Sequence, residues 1–226
     1  MPSRDRASYR LKELLRGVAY ATPLQRWLRL GGRNYSSSFW DEKLSGEWGF
    51  HLGGSISGEA RNAITLALVR ILLPDARSML DVGCASGSLL RSSDGRYAYT
   101  GVDISPFAIE QAKGLSPSGT FEVGTAETFT PKAQYDVIVL SEVLYYLTLD
   151  AALNVAERYT SHLTPHGILI VSMLREAKTI AIFRGISKRR RWLNGFIYQE
   201  KNEGPKFSAR SERTRAYLTG AFARAR

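Results

Sequence analysis

Small residues at Gly83, Ala85 and Gly87 follow one apolar run, and Asp103 stands at the end of the next apolar run. Gly83 permits a tight turn that a side chain would block, and Ala85 and Gly87 allow a ligand and a helix to approach the backbone closely. A carboxylate at the tip of the second strand can accept hydrogen bonds from both hydroxyls of a ribose. This spacing predicts a site for an adenosine-containing cofactor at the edge of a doubly wound sheet.

Alternating strands and helices must position these residues. Residues 97–103 predict the second strand, after which Ser105 is expected to cap a helix with Pro106 in its first turn. Residues 135–141 form a nearly continuous β-branched run, typical of a central parallel strand that is buried on both faces. The predicted fold class is therefore α/β, a Rossmann-like, doubly wound and mostly parallel sheet, with an N-terminal helical or lid extension.

Several segments in this order resemble the class I S-adenosylmethionine-dependent methyltransferases. Residues 81–87 (DVGCASG) are similar to the motif D-x-G-x-G-x-G, residues 121–127 (FEVGTAE) to F-x-x-G-D-A-E, and residues 163–167 (LTPHG) to L-x-P-G-G. Residues 141–147 (SEVLYYL) and 48–50 (WGF) resemble the NodS-type branch, named for nodulation methyltransferases that act on sugar amines. The resemblance extends over roughly residues 58–175.

This resemblance implies S-adenosylmethionine as the cofactor and requires no metal. Ala85 replaces the middle glycine of the first motif, and Thr125 stands where the family often has Asp. The residues expected to bind the cofactor are Asp81, Gly83, Cys84, Ala85, Gly87, Asp103, Ile104, Thr125, Ala126, Glu127 and Ser141.

The acceptor side offers two candidate catalytic residues, Glu142 after the fourth strand and His51 in the expected lid. A sulfonium methyl group is already electrophilic, so a base is needed only for a protonated acceptor. Glu142 fits equally well as a structural acid, and His51 as a surface histidine. Trp48, Tyr145 and Tyr146 are expected to shape the substrate pocket, although ordinary packing explains them as well.

The composition excludes several other kinds of site. A single cysteine allows no disulfide within the chain and no cysteine-based zinc site, and His51, His162 and His166 lack metal-ligand spacing. No apolar run is long enough to span a membrane, and the N-terminus has no continuous hydrophobic segment. We therefore expect a cytoplasmic protein. Any association with a membrane is expected to be peripheral, at the membrane surface.

Charge is distributed unevenly within the formal net charge of +10. Residues 1–35 carry +6, residues 36–180 carry −5 and residues 181–226 carry +9. The basic ends suit an anionic membrane surface or substrate, and solvated faces explain them equally well. Nucleic-acid methylation is disfavoured because neither an Asn/Asp-Pro-Pro-Tyr/Phe motif nor a Pro-Cys nucleophile is present.

The predicted organisation has a basic N-terminal helical and lid segment, 1–57, and an S-adenosylmethionine-binding domain, 58–226. Residues 34–57, which include Trp40, are expected to form a loop or lid, and 58–73 a helix. The part after about residue 181 is basic and matches the family poorly. There we expect a helix within 175–195 and a hairpin across Thr219 and Gly220.

Two functional hypotheses follow. The first is methyl transfer to a hydroxyl or amine of a small molecule, a sugar or a lipid-linked glycan. The alternative is a non-catalytic cofactor-binding protein that docks on a membrane or partner through its basic ends. A nicotinamide oxidoreductase is a distant third, because G-x-A-x-G followed by Ser88 departs from the nicotinamide fingerprint.

Overall fold

The computed structural model describes residues 35–45, 56–201 and 214–223. In these residues, a mixed sheet has the strand order β3-β2-β1-β4-β5-β7-β6. The first five strands in this order are parallel to one another, whereas β7 is antiparallel to both β5 and β6. The strands are β1 Ser78–Val82, β2 Ala98–Asp103, β3 Thr120–Val123, β4 Tyr135–Ser141, β5 Leu163–Leu174, β6 Arg191–Lys201 and β7 Thr214–Ala223.

Helices cover both faces of this sheet, which confirms the predicted fold class. The helices are α1 Ser37–Ser45, α2 Ile56–Leu72, α3 Ser88–Ser92, α4 Pro106–Leu115, α5 Leu149–Ser161 and α6 Ala177–Ser187, with a short 3₁₀ helix at Leu144–Tyr146. None of these helices is both long and apolar enough to cross a membrane.

Strand β4 shows why the central strands read as continuous apolar runs. Ile138 and Leu140 pack into the core beneath α5 and α6, while Val137 and Val139 pack into the core on the other face. All four side chains are fully buried. A strand buried on both faces has no polar side to alternate with, so its sequence is apolar throughout.

The order of the strands reverses next to β1, which pairs with β2 on one side and with β4 on the other. Ligands of doubly wound sheets bind outside the carboxyl ends of the strands at such a switch point. The segments that follow β1, β2 and β4 therefore meet at one edge.

One part of the expected loop at 34–57 is helical, because α1 occupies Ser37–Ser45. The Ser36 hydroxyl accepts a hydrogen bond from the Phe39 amide (3.2 Å), as an N-cap residue does. Serines that suggested a loop thus begin a helix. Residues 46–55 of the expected lid, and the helix expected at 8–20, lie outside the described residues.

The predicted hairpin across Thr219 and Gly220 is wrong, since both residues lie inside the continuous strand β7. Its partner is β6, which begins at Arg191 and so takes the end of the helix expected at 175–195. A Cβ atom on Gly220 would lie 2.4 Å from the Trp192 ring. The glycine makes room for an indole packed across the two strands, which is a tertiary requirement and not a turn.

Strand β5 also differs from the prediction at its start. The resemblance placed a turn at 163–167, but the strand begins at Leu163 and includes those residues, with an irregular register opposite β4. His162 ends α5, and His166 lies in the first part of β5. Both histidines are therefore at the amino edge of the sheet, as expected.

Candidate active site

A cavity of about 320 Å³ lies at the carboxyl edge of the sheet, between the strand tips and α1. Its lining includes many of the residues predicted from the sequence: Gly83, Ala85, Asp103, Ile104, Thr125, Ala126, Glu127, Ser141, Glu142 and Tyr146. The other lining residues are Tyr35, Trp40, Leu44, Gly124, Val143 and Leu147.

The turn after β1 forms one wall of the cavity. Gly83 and Ala85 both have positive φ angles, 82° and 46°. A Cβ atom on Gly83 would lie 2.3 Å from Cγ2 of Val143, so only glycine fits there. The Gly83 amide donates to the Val102 carbonyl at 2.7 Å, which ties the turn to β2.

Asp103 is held at the tip of β2 by backbone amides. Its Oδ2 accepts from the Ala85 amide at 3.0 Å, and its Oδ1 accepts from the Ser105 amide at 2.9 Å. Burial raises the pKa of Asp103, these two hydrogen bonds lower it, and the charge of Asp41 raises it, leaving it above its usual value. Each carboxylate oxygen can accept a further hydrogen bond, so the group retains acceptor capacity towards the cavity.

The segment after β3 forms the next wall. The Gly124 amide donates to the Asp103 carbonyl at 2.9 Å, and Arg158 on α5 donates to the Ala126 carbonyl at 2.5 Å. The Thr125 hydroxyl accepts from the Thr128 amide at 3.0 Å. Thr125 therefore caps its own turn, and its backbone and that of Ala126 are held rigidly at the cavity.

Three predicted cofactor residues, Asp81, Cys84 and Gly87, lie behind the wall and do not line the cavity. Asp81 is 3% exposed and accepts a hydrogen bond of 2.5 Å from the Tyr99 hydroxyl. Burial is the main cause that raises the pKa of Asp81 to about 7. Burial also raises the pKa of the Cys84 thiol, which is therefore no reactive thiolate.

Glu142 follows β4 in a left-handed backbone conformation, with φ 59°. Such a conformation costs a residue with a side chain about 1–3 kcal/mol and is concentrated at functional sites. Oε2 accepts from the Tyr145 hydroxyl at 2.8 Å. Oε1 is buried and has no hydrogen-bond partner within the described part of the chain. Glu142 thus lines the cavity with a strained backbone, and its carboxylate has unused acceptor capacity.

The surroundings of Glu142 raise its pKa above the usual value. Burial is the largest cause, and it outweighs the charge of Arg61, the Tyr145 hydrogen bond and the Leu174 amide, all of which lower the pKa. A carboxylate tuned in this direction is a better proton acceptor near neutral pH than an exposed one.

Aromatic side chains enclose the cavity beside Glu142. The Tyr145 hydroxyl lies 3.0 Å from the Tyr146 hydroxyl, and Tyr145 stands behind the lining while Tyr146 is part of it. The Tyr146 ring centre is 5.1 Å from that of Trp40 and 5.8 Å from that of Tyr35. Trp48 and His51, the other predicted acceptor-side residues, lie outside the described residues.

Helix α1 supplies two lining residues: Trp40, which lies in the segment expected to form the lid, and Leu44, which the sequence analysis did not identify. The available signals were the serine cap and the spacing of four between these two apolar residues. Among residues 35–45, 56–201 and 214–223, no group of His, Cys, Asp and Glu is arranged to hold a metal ion.

Residues 80–169 match the family described as "Methyltransferase domain". The match confirms the resemblance to methyltransferases that the motifs predicted. It extends from β1 to the middle of β5, the elements that build most of the cavity.

Three curated proteins match the chain in sequence. The dTDP-4-amino-2,3,4,6-tetradeoxy-D-glucose N,N-dimethyltransferase of Saccharopolyspora spinosa is 31% identical over 46% of this chain and 43% of its own length. The trans-aconitate 2-methyltransferase of Methylobacterium radiotolerans is 32% identical over 47% and 41%. Nodulation protein S of Bradyrhizobium diazoefficiens is 34% identical over 45% and 51%. The chain thus spans about half the length of these relatives.

The fold is similar to that of solved methyltransferase structures. The crystal structure of N-methyltransferase NodS from Bradyrhizobium japonicum, in complex with S-adenosyl-L-homocysteine, superposes with a TM-score of 0.66. It is 18% identical, and the match covers 82% of this chain and 96% of that one. The cofactor predicted from the sequence is the methylated form of the ligand in that complex.

Proposed function

We propose that this protein transfers the methyl group of S-adenosylmethionine to an amine nitrogen of a small-molecule or sugar acceptor. One observation carries the proposal: Glu142, an acid with a strained backbone and a largely buried carboxyl group, lines the same cavity as Asp103. The first residue suits a protonated amine and the second suits a ribose.

The cavity residues fit the cofactor in their chemistry. Asp103 would accept hydrogen bonds from the ribose hydroxyls, and the backbone at Thr125 and Ala126 would contact the adenine. The turn at Gly83 and Ala85 lets the amino-acid part approach the backbone. When bound, the cofactor supplies a methyl group made electrophilic by a positively charged sulfur.

Glu142 would prepare the acceptor. An ammonium has no lone pair, so its nitrogen becomes a nucleophile only after it loses a proton. The Glu142 carboxylate would take that proton and leave the nitrogen lone pair free to accept the methyl group, whose bonding electrons would stay with the sulfur of the departing cofactor. The aromatic rings of Tyr146 and Trp40 would orient the acceptor and exclude water.

The charge of the lining supports an amine over a carboxylate acceptor. The lining contains Asp103, Glu127 and Glu142 and, among the described residues, no lysine or arginine. An anionic acceptor would be repelled there, whereas a cationic one is attracted. Two relatives are named as a sugar N,N-dimethyltransferase and a nodulation protein, which agrees with an amine, although the trans-aconitate enzyme acts on a different acceptor.

Binding of S-adenosylhomocysteine tests the cofactor half of the proposal. Isothermal titration should show that Asp103→Ala weakens binding roughly ten- to a hundredfold, because a charge-assisted hydrogen bond contributes about 1.5–3 kcal/mol. Asp94→Ala is the matched control, since Asp94 is exposed in the turn after α3 and should leave the affinity unchanged. Equal affinity of the Asp103 variant and the wild type would contradict the ribose role.

Transfer of a radiolabelled methyl group tests the acceptor half. The probes are dTDP-linked amino sugars and glucosamine, each paired with the sugar that carries a hydroxyl in place of the amine. We expect label only in the amines. Label only in the hydroxyl sugars would overturn the amine assignment, and cofactor binding without transfer to any acceptor would favour the non-catalytic alternative. Contact of the basic ends with a membrane remains a prediction.

A further inference from the structure

Helix α1 meets the N-terminus of α4 through one side chain, Asp41. The Ser105 hydroxyl donates a hydrogen bond to Asp41 Oδ1, and the Phe107 amide donates to the same oxygen at 3.2 Å. The two helices are far apart in the sequence. Asp41 is therefore the hydrogen-bonded link between α1 and the segment that follows β2.

These contacts complete the first turn of α4. Pro106 has no amide hydrogen, the Phe107 amide uses Asp41, and the Ala108 amide donates to the Ser105 hydroxyl oxygen at 3.0 Å. The single hydrogen of the Ser105 hydroxyl is thereby left for Asp41. The negative charge of Asp41 also interacts favourably with the positive end of the helix dipole.

The same helix forms a wall of the cavity. Trp40 and Leu44 line the cavity, and the Trp40 ring contacts that of Tyr146 edge to face. No residue of α1 is fully buried. A helix that covers a site without a buried core of its own depends on a few specific contacts.

Ser105 also connects Asp41 to Asp103, the predicted ribose-binding acid. Ser105 donates its hydroxyl to Asp41 and its amide to Asp103, at 2.9 Å for the latter bond. A displacement of α1 would therefore disturb Ser105 and, through it, Asp103 at the predicted ribose site.

We infer that Asp41 is a positioning residue that holds α1 as the movable wall of the cofactor cavity. This inference rests on the proposed function, because the ligand it retains is S-adenosylmethionine or its demethylated product. Breaking the Asp41 contacts releases α1, withdraws Trp40 and Leu44 from the cavity, and lets the ligand leave faster.

Dissociation of S-adenosylhomocysteine, measured by stopped-flow displacement, tests the inference. Asp41→Ala should raise the dissociation rate roughly 5- to 20-fold, the range expected for loss of a helix-capping contact. Asp41→Asn keeps an oxygen that accepts from Ser105 and Phe107, so it should stay within about threefold of the wild type. Glu42→Ala is the matched control on the exposed side of α1 and should leave the rate unchanged.

Thermal unfolding of the ligand-free variants separates a positioning role from simple helix capping. If Asp41→Ala lowers the thermal midpoint but leaves the dissociation rate of the folded protein unchanged, Asp41 only stabilises α4 and the inference is wrong. It is also wrong if Asp41→Asn releases ligand as fast as Asp41→Ala. If the wild type binds no S-adenosylhomocysteine, the proposed function itself fails, and that result is visible before any variant is made.

Discussion

The two ends of strand β4 carry acids with opposite surroundings. Asp136 lies near the amino end, where its carboxylate accepts hydrogen bonds from the Arg77 and Ser78 amides at 2.9 and 3.1 Å, and from the hydroxyls of Ser78 and Thr164. Burial raises its pKa, but these hydrogen bonds together lower it below the usual value. This carboxylate joins β4 to the segments that precede β1 and begin β5.

Glu142, just beyond the carboxyl end, has the reverse properties. Its backbone is left-handed, its pKa is raised mainly by burial, and Oε1 lacks a partner within the described residues. The comparison teaches that hydrogen-bond satisfaction, more than residue type, separates a structural acid from a candidate catalytic one on the same strand. Three variants test this contrast.

Glu142→Gln is expected to have the largest effect. Glutamine keeps the shape and the acceptor for Tyr145 but cannot take a proton. Methyl transfer to an amine acceptor should fall about 10²- to 10⁴-fold, with the affinity for S-adenosylhomocysteine little changed. Turnover and thermal midpoint are measured on one preparation. An unaltered rate with a lowered midpoint would show that Glu142 is structural, like Asp136.

Asp136→Ala should lower the free energy of unfolding by about 1–2 kcal/mol at pH 7 and leave cofactor affinity unchanged. The reason is that two amides and two hydroxyls lose their acceptor at a partly exposed site that water can reach. Urea unfolding measures this effect. Because the folded pKa of Asp136 is lowered, its contribution is present above the unfolded value near 3.9 and is lost as the pH falls through the folded value.

The difference between the wild type and Asp136→Ala should therefore shrink below about pH 4. Asp136→Asn, which keeps one acceptor oxygen, serves as the intermediate case and should lose less stability. A difference that grows on acidification would contradict the assignment of Asp136 as an ionised hydrogen-bond acceptor.

Tyr145→Phe should have the smallest effect on the rate. The variant removes the hydrogen bond that lowers the pKa of Glu142, so that pKa should rise further. The ionised base is the active form, so the acid limb of the kcat/KM profile should move to higher pH. On the acid limb the variant should be slower than the wild type at the same pH. At high pH the two rates should converge.

Tyr159→Phe is the matched control, because Tyr159 is fully buried in the core beneath the sheet and does not line the cavity. Its acid limb should coincide with that of the wild type. Coincident limbs for Tyr145→Phe and the wild type would mean that Tyr145 does not tune Glu142.

Prediction from the sequence succeeded where a local rule governs the structure. The limits of β4 at Tyr135 and Ser141 were predicted correctly, and Ser105 caps α4 with Pro106 in its first turn. Each of these features follows from side-chain type over a few consecutive residues. The small residues of the first motif likewise predicted a turn that requires positive φ angles.

Prediction failed where a residue's neighbours are distant in sequence. Gly220 suggested a turn, but it is small because Trp192 packs on it from the adjacent strand. Residues 37–45 suggested a loop, yet they form a helix that contacts α4 through Asp41. In both cases the same residue type has two physical uses, and only the packing partner selects one.

The sequence by itself determined the α/β class, the similarity of residues 80–169 to methyltransferase domains and the edge of the sheet at which the cavity lies. These follow from hydrophobic period, turn chemistry and motif order, all of which are local. Only the tertiary structure decided which acid has all of its hydrogen-bond partners and which acid lacks one among the described residues. The pKa of a carboxylate depends on burial and on donors brought from other elements, as the contrast between Asp136 and Glu142 shows. No spacing along the chain contains that information.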